Sequence, residues 1–220
     1  MPTPRAGYHT KDGTKVPSVT TILGRWKESG GLLQWAFKQG QSGAGSLYEQ
    51  RDAAAEVGTI AHAMCDAHMR GNDCDAALAE FKPSEEQAQK ARTAFNAYTG
   101  WVRNQRAEII ACETPLVSEE HRFGGTPDFL VRIDGKLAMA DLKTSNSVYR
   151  DYLLQVAAYG LLWNETHEEK IAGGYHILRL GKDSPDFGHH YFAELDGAAD
   201  LFLLLRRAYE MDLALKKRAA

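Results

Sequence analysis

Two runs of β-branched and apolar residues, Thr126 to Ile133 and Lys136 to Lys143, flank the dipeptide Asp134-Gly135. Asp-Gly closes a two-residue hairpin, so the pattern predicts a pair of antiparallel strands. One face of that pair carries Phe129, Val131, Ile133, Ala138, Ala140 and Leu142, an unbroken apolar set suited to a sheet covered by helices. The opposite face is then the exceptional one. Upstream, a short hairpin is expected around Asp12-Gly13, with Ser18 capping a helix. Helical periodicity follows over Leu32 to Lys38, Tyr48 to Arg70 and Ser84 to Gln105, where Ser84 and Gln87 form a capping box. Cys112 to Ser118 reads as a first strand. After the hairpin come a helix from Asp151 to Glu165, strands at Ile171 to Leu180 and His189 to Glu194, and a last helix from Asp196 to Lys217. These elements predict an α/β fold with a mixed central sheet flanked by helices.

The 220 residues, 44% of them hydrophobic, can bury a full core, and the expectation is one domain. Residues 1–107 form its mainly helical N-terminal part and 108–220 its α/β core. Apolar runs stay short of the ~20 residues that span a bilayer, and the N-terminus lacks a secretory apolar segment, so a cytoplasmic protein without membrane contact is expected. Cys65, Cys74 and Cys112 lack the spacing of a zinc site or a disulfide framework and read as reduced thiols. A net charge of −3 excludes a broadly basic coat but leaves room for a local groove.

The candidate chemistry lies on the exceptional face. If Ile133 faces Lys136, the ladder brings Asp128 directly opposite Asp141, with Lys143 on the same face. Opposed residues have Cβ atoms about 5 Å apart, and like charges there destabilise a sheet. At an effective dielectric of about 20 the repulsion is roughly 3 kcal/mol. Such a pair needs a cation between the carboxylates or a raised pKa on one of them. A hard divalent metal supplies the cation, and two carboxylates with an ammonium suit a metal-dependent phosphodiesterase.

His62 sits at the border of a helical stripe formed by Val57, Ile60, Ala61, Met64 and Cys65. A lone helical histidine is more often a packing residue, but beside paired aspartates its neutral ring becomes a candidate ligand. Gln155 and Tyr159, spaced i, i+4, share one side of the helix that follows Lys143, with an amide and a phenol suited to phosphate oxygens. Ser18, Thr20 and Thr21 cluster hydroxyls after Pro17, for helix capping, phosphate binding or both. Glu113, His121, His189 and His190 have no spacing that requires a metal role and read as structural or surface residues.

Together, Gly58 to His62, Pro127-Asp128, Asp141-Leu142-Lys143 and Gln155-Val-Ala-Ala-Tyr159 resemble the motif series of the PD-(D/E)XK nuclease superfamily, in its RecB-like exonuclease branch. Val16 to Leu23 also resembles the N-terminal motif of the mitochondrial genome maintenance exonuclease and its phage and bacterial relatives. Several short motifs in the expected order are far more specific than any one of them. The resemblance implies a restriction-endonuclease-like core in which Asp128, Asp141, His62 and the backbone carbonyl of Leu142 hold one or two Mg²⁺ or Mn²⁺ ions. Lys143 would orient or activate the water. Ser18, Thr20, Gln155 and Tyr159 would position DNA, single-stranded or at duplex ends. The implied activity is a DNA exonuclease of replication, recombination or repair, with a phage or mobile element as one source and a recombination or replication protein as partner. The alternatives are an endonuclease of the same superfamily and a non-catalytic DNA-end-binding module. Some RecB-like nucleases carry a four-cysteine iron–sulfur cluster, and three cysteines are too few for one.

Overall fold

The computed structural model describes residues 4, 6–27, 47–145, 147–181 and 186–219. The helix expected over Leu32 to Lys38 lies outside them. In chain order the N-terminal elements are β1 (Tyr8–His9), β2 (Lys15–Val16), α1 (Val19–Arg25), α2 (Leu47–Met69), α3 (Cys74–Ala79) and α4 (Glu85–Gln105). Then come β3 (Glu108–Cys112), β4 (Leu116–Ser118), β5 (Phe123–Gly125), β6 (Phe129–Ile133) and β7 (Lys136–Lys143). The last four are α5 (Arg150–Thr166), β8 (Tyr175–Leu180), β9 (Phe187–Phe192) and α6 (Asp196–Ala219).

The β6–β7 hairpin follows from its turn. Asp134 and Gly135 both adopt positive φ, 49° and 76°, as a tight two-residue connection demands. Ile133 therefore faces Lys136, and Phe129 faces Ala140. One step further, Asp128 lies level with Asp141 just outside the ladder. The central sheet runs β3-β6-β7-β8-β9. Its neighbours are antiparallel except β7 and β8, which are parallel and joined across the sheet by α5. The mixed α/β fold and its flanking helices are those expected.

Both faces of this sheet are apolar and both are covered. Phe129, Val131, Ala138, Ala140 and Leu142 pack with Leu178 and Leu180 under Ile60, Ala61, Met64 and Cys65 of α2 and Ala94, Tyr98 and Trp101 of α4. On the other side Leu130, Leu137, Met139 and Ile177 pack against Leu154, Ala158 and Leu162 of α5, Val19 and Ile22 of α1 and Phe202 of α6. The second face is thus not the polar exception that the sequence suggested. Its middle is apolar, and Asp128, Asp141 and Lys143 stand at one end of it.

Several boundaries differ from expectation. The strand predicted from Cys112 to Ser118 is two strands: β3 ends at Cys112, and β4 leaves the central sheet to pair with β5. Glu113 turns the chain at φ 42°, and Pro115 has no N–H to continue a ladder. The strand expected from Ile171 begins only at Tyr175 because Ala172 and Gly173 both donate to the Leu137 carbonyl as an irregular crossing. The capping box of Ser84 and Gln87 is present at the start of α4. Among the described residues no helix is long and apolar enough to cross a membrane.

Candidate active site

Asp128 and Asp141 meet at the open end of the hairpin, almost fully shielded from solvent. The Leu142 N–H donates to Asp128 Oδ2 at 2.7 Å, and Lys143 Nζ lies 2.5 Å from Asp141 Oδ2. The remaining oxygen of each carboxylate, Oδ1, is buried without a hydrogen-bond partner among the described residues. Burial raises both carboxyls, taking Asp141 to about 6, with Lys143 pulling against the shift and Asp128 adding to it. For Lys143, burial works against the charge, yet Asp141 and Asp128 outweigh it and hold the ammonium above its usual range. The repulsion anticipated between the aspartates is met by both remedies together, a neighbouring cation and a raised pKa.

Helix α2 reaches this end because of Gly58. A Cβ there would lie 2.5 Å from Thr144 Oγ1, so glycine lets the helix pass over the end of β7 with the threonine hydroxyl left in place. One turn later His62 Nδ1 stands 3.9 Å from Asp128 Oδ2. Burial and then the Lys143 charge push its pKa down to about 4, leaving the ring neutral at ordinary pH. His62, Asp66, Met69, Glu113, Asp128 and Leu142 enclose a cavity of about 10 Å³, room for about one small ion or water. Asp66 and Glu113 were not singled out in the sequence as partners of this site. Asp66 is one helical turn beyond His62, a spacing that could have revealed it. Glu113 was concealed by the misplaced strand boundary; its N–H donates to the Asp128 carbonyl, and burial followed by Asp66 and Asp128 raises its carboxyl. Arg70 ties to Asp66 at 2.8 Å and approaches Glu113 at 3.9 Å.

Gln155 and Tyr159 are not a polar helix edge. Both are buried, and Gln155 Nε2 donates to the Tyr159 hydroxyl at 2.9 Å. Gly125 makes room for the Tyr159 ring, since a Cβ there would meet it at 2.6 Å. Burial, partly offset by Gln155, keeps the phenol protonated. Beside them Tyr8 Oη and Thr126 Oγ1 share a hydrogen bond of 2.8 Å, two residues from Asp128. Tyr8 also lines a groove of about 790 Å³ together with Lys15, Ser18, Thr20, Thr21 and Tyr209. Ser18 Oγ accepts from the Thr21 N–H at 3.0 Å as the cap of α1, and contacts the Thr20 and Thr21 hydroxyls at 3.0 and 2.8 Å. The hydroxyl cluster is therefore a helix cap that also faces an open groove, and Tyr8 spans from that groove to the residue before Pro127.

A family model for the PD-(D/E)XK nuclease superfamily matches residues 32–215. The chain belongs to that superfamily. Among solved structures, the crystal structure of SSO0001 shares 12% identity over 70% of this chain and 74% of its own, with a TM-score of 0.35. An alkaline exonuclease from Laribacter hongkongensis shares 15% identity over 56% of this chain and 69% of its own, also with a TM-score of 0.35. Both likenesses are too slight to bear on function. Among curated proteins none matches the chain.

PD-(D/E)XK nucleases generally use divalent metal ions, and the residues at the hairpin end suit one. Two buried carboxylates with unpartnered oxygens, a neutral imidazole and a tight cavity are an oxygen-rich donor set of the kind that Mg²⁺ and Mn²⁺ accept. Among the described residues no three His, Cys, Asp or Glu side chains are already drawn together as a ligand set. Lys143 sits against Asp141 and supplies a positive charge there.

Proposed function

We propose that this PD-(D/E)XK protein is a divalent-metal-dependent deoxyribonuclease that removes nucleotides from DNA ends in replication, recombination or repair. The observation that carries this reading is the buried pair Asp128 and Asp141, each with an oxygen lacking a hydrogen-bond partner, beside the ammonium of Lys143. Asp128, Asp141, a ring nitrogen of His62 and the Leu142 carbonyl would hold one or two Mg²⁺ or Mn²⁺ ions; of these, His62, Asp128 and Leu142 line the small cavity together with Asp66 and Glu113. A bound divalent cation supplies a more acidic water and neutralises charge on the scissile phosphate.

The protein's own groups do the rest. Lys143, held protonated by its two carboxylates, places a positive charge where the pentacovalent transition state becomes more anionic. Asp128 is fixed by the Leu142 N–H, so its free oxygen is presented in one direction. Gln155 and Tyr159, buried and hydrogen-bonded to each other, would position the strand from beneath as part of the wall of the site. Ser18, Thr20 and Lys15 are the groups open to phosphates of the strand leading into the site.

The test is cleavage of end-labelled linear DNA and closed circular DNA, with Mn²⁺, with Mg²⁺ and with chelator. Metal-dependent shortening of the linear substrate with the circle left intact is the expected result. Cutting of the circle would make the protein an endonuclease of the same superfamily. Binding to ends without cleavage in either metal would reduce it to a non-catalytic end-binding module.

A further inference from the structure

Helix α6 has two apolar faces, and among the described residues only one of them is packed. Phe202, Leu205 and Tyr209 turn inward with the core around α5 and α1, and Arg206 donates from Nε to the Arg122 carbonyl at 3.0 Å. On the outward side Leu201, Leu204, Ala208, Met211 and Leu215 recur at intervals of three and four residues. That is the spacing of a coiled-coil seam, about 21 Å long at the rise of an α-helix. Leu201 is 40% exposed, Leu204 64%, Met211 60% and Leu215 63%. Isolated exposed leucines are ordinary, but four large apolar side chains in one seam on one helix mark an interaction surface.

The charges at the two ends of the helix select its occupant. Its N-terminal end carries Glu194, Asp196 and Asp200, and its C-terminal end carries Lys216, Lys217 and Arg218. A parallel copy of the helix would set three cations against three cations. An antiparallel copy sets acidic end against basic end, opposes the helix dipoles favourably, and lays Leu204 of one copy against Leu215 of the other around Ala208 and Met211. The seam is therefore complementary to itself under a two-fold rotation, which is the requirement for an isologous contact.

We propose that α6 is a self-association surface, on which a second copy of this chain docks antiparallel through Leu201, Leu204, Ala208, Met211 and Leu215. The seam is short against the ~800 Å² per partner of a standard interface, so the pair is expected at roughly micromolar to tens of micromolar concentration. It is independent of the nuclease site, since none of these side chains lines the carboxylate cavity or the hydroxyl groove.

Sedimentation equilibrium on the full chain over a wide concentration range tests this. The wild type is expected to double in mass as concentration rises, and Leu204→Glu with Leu215→Glu should shift the midpoint at least tenfold upward. These positions are exposed, so circular dichroism and thermal melting should be unchanged, separating lost pairing from lost folding. Asp200→Lys should weaken the dimer, and adding Arg218→Asp should restore it, because the antiparallel pair with Leu204 against Leu215 sets residue 200 beside residue 218. A wild type that stays monomeric overturns the proposal and leaves the seam to a helix of some other protein. A dimer insensitive to the glutamates overturns it equally, as does one that the charge reversal strengthens.

Discussion

The carboxylate end of the hairpin and the hydroxyl groove lie on either side of one hydrogen bond, Tyr8 to Thr126, yet they are built on opposite principles. At the hairpin end Asp128, Asp141 and Lys143 are buried side by side, and Oδ1 of each carboxylate has no hydrogen-bond partner among the described residues. In the groove Lys15, Thr20 and Thr21 are exposed, and the hydroxyls of Ser18, Thr20 and Thr21 satisfy one another. Charge is worth most where water is excluded, and that is also where it costs most to keep. On the proposed function a DNA strand sliding through would be held and released, which suits weak contacts at a wet surface. The difference implies that chemistry and grip can be damaged separately.

The largest effect is expected from Asp128→Asn and Asp141→Asn. Each should cut the rate of hydrolysis by about a thousandfold or more and weaken Mn²⁺ binding in calorimetric titration. Their effects on the metal-free protein should differ. Asn at 128 can still accept from the Leu142 N–H while removing a buried charge, so its melting temperature should rise. Asn at 141 strips Lys143 of its closest partner and should not stabilise. Unchanged Mn²⁺ affinity in both variants would remove the carboxylates from the metal site.

Lys143→Ala comes next. Single-turnover cleavage should fall by about two to four orders of magnitude, while DNA and Mn²⁺ still bind, because the ammonium is needed most in the transition state. Without metal the variant should melt well below the wild type, since breaking a buried pair costs about 3–5 kcal/mol. Saturating Mn²⁺ should raise its melting temperature more than that of the wild type, the metal taking over the charge that the lysine supplied. Near-normal cleavage would make Lys143 a structural charge only.

How much of this could be read from the chain depended on the range of the interaction. The hairpin was legible because Asp134-Gly135 fixes the turn and the turn fixes the register, so the pairing of Asp128 with Asp141 followed from local rules. The Ser84 capping box was legible for the same reason. Glu113 was not, because its place depends on a left-handed residue at the end of β3, and a left-handed glutamate leaves no mark in composition or periodicity. Nor was the burial of Gln155 and Tyr159, since the glycine that makes room for the Tyr159 ring, Gly125, lies far away in sequence. The apolar nature of both sheet faces was present in Leu130, Leu137 and Met139, but a strand covered on two sides has no alternation to show which side carries the site.

Acidity should separate the two regions by about tenfold per pH unit. Asp141 must be ionised to hold a cation, and its folded pKa of about 6 lies above that of an unfolded aspartate, so Mn²⁺ affinity should decline as pH falls through about 6. The same shift means that the folded, metal-free protein binds more protons than the unfolded chain between about pH 4 and 6. Its stability should therefore fall as pH rises through that window, and Asp141→Asn should abolish this contribution. His62, pushed down to about 4, is neutral where Asp141 titrates near 6, so His62→Ala should lower affinity without moving that midpoint. It should also shrink any preference for Mn²⁺ over Mg²⁺, since Mg²⁺ favours all-oxygen shells. A variant that loses stability but keeps its metal preference would mark His62 as a packing residue.

The smallest effect is expected in the groove, and it carries its own control. Ser18→Ala removes both a groove hydroxyl and the cap of α1, whereas Thr20→Ala removes a hydroxyl and leaves the Ser18–Thr21 cap in place. Loss of a serine cap costs about 1 kcal/mol, so Ser18→Ala should lower the melting temperature and Thr20→Ala should not. If the hydroxyls hold DNA phosphates, both should raise KM for a linear substrate about three- to tenfold, one neutral hydrogen bond each, with kcat unchanged. Measuring kcat and KM with melting curves for the two variants distinguishes the roles. A rise in KM for Ser18→Ala alone would assign the cluster to holding α1, and a fall in kcat for Thr20→Ala would join the groove to the chemistry and dissolve the division between the two regions.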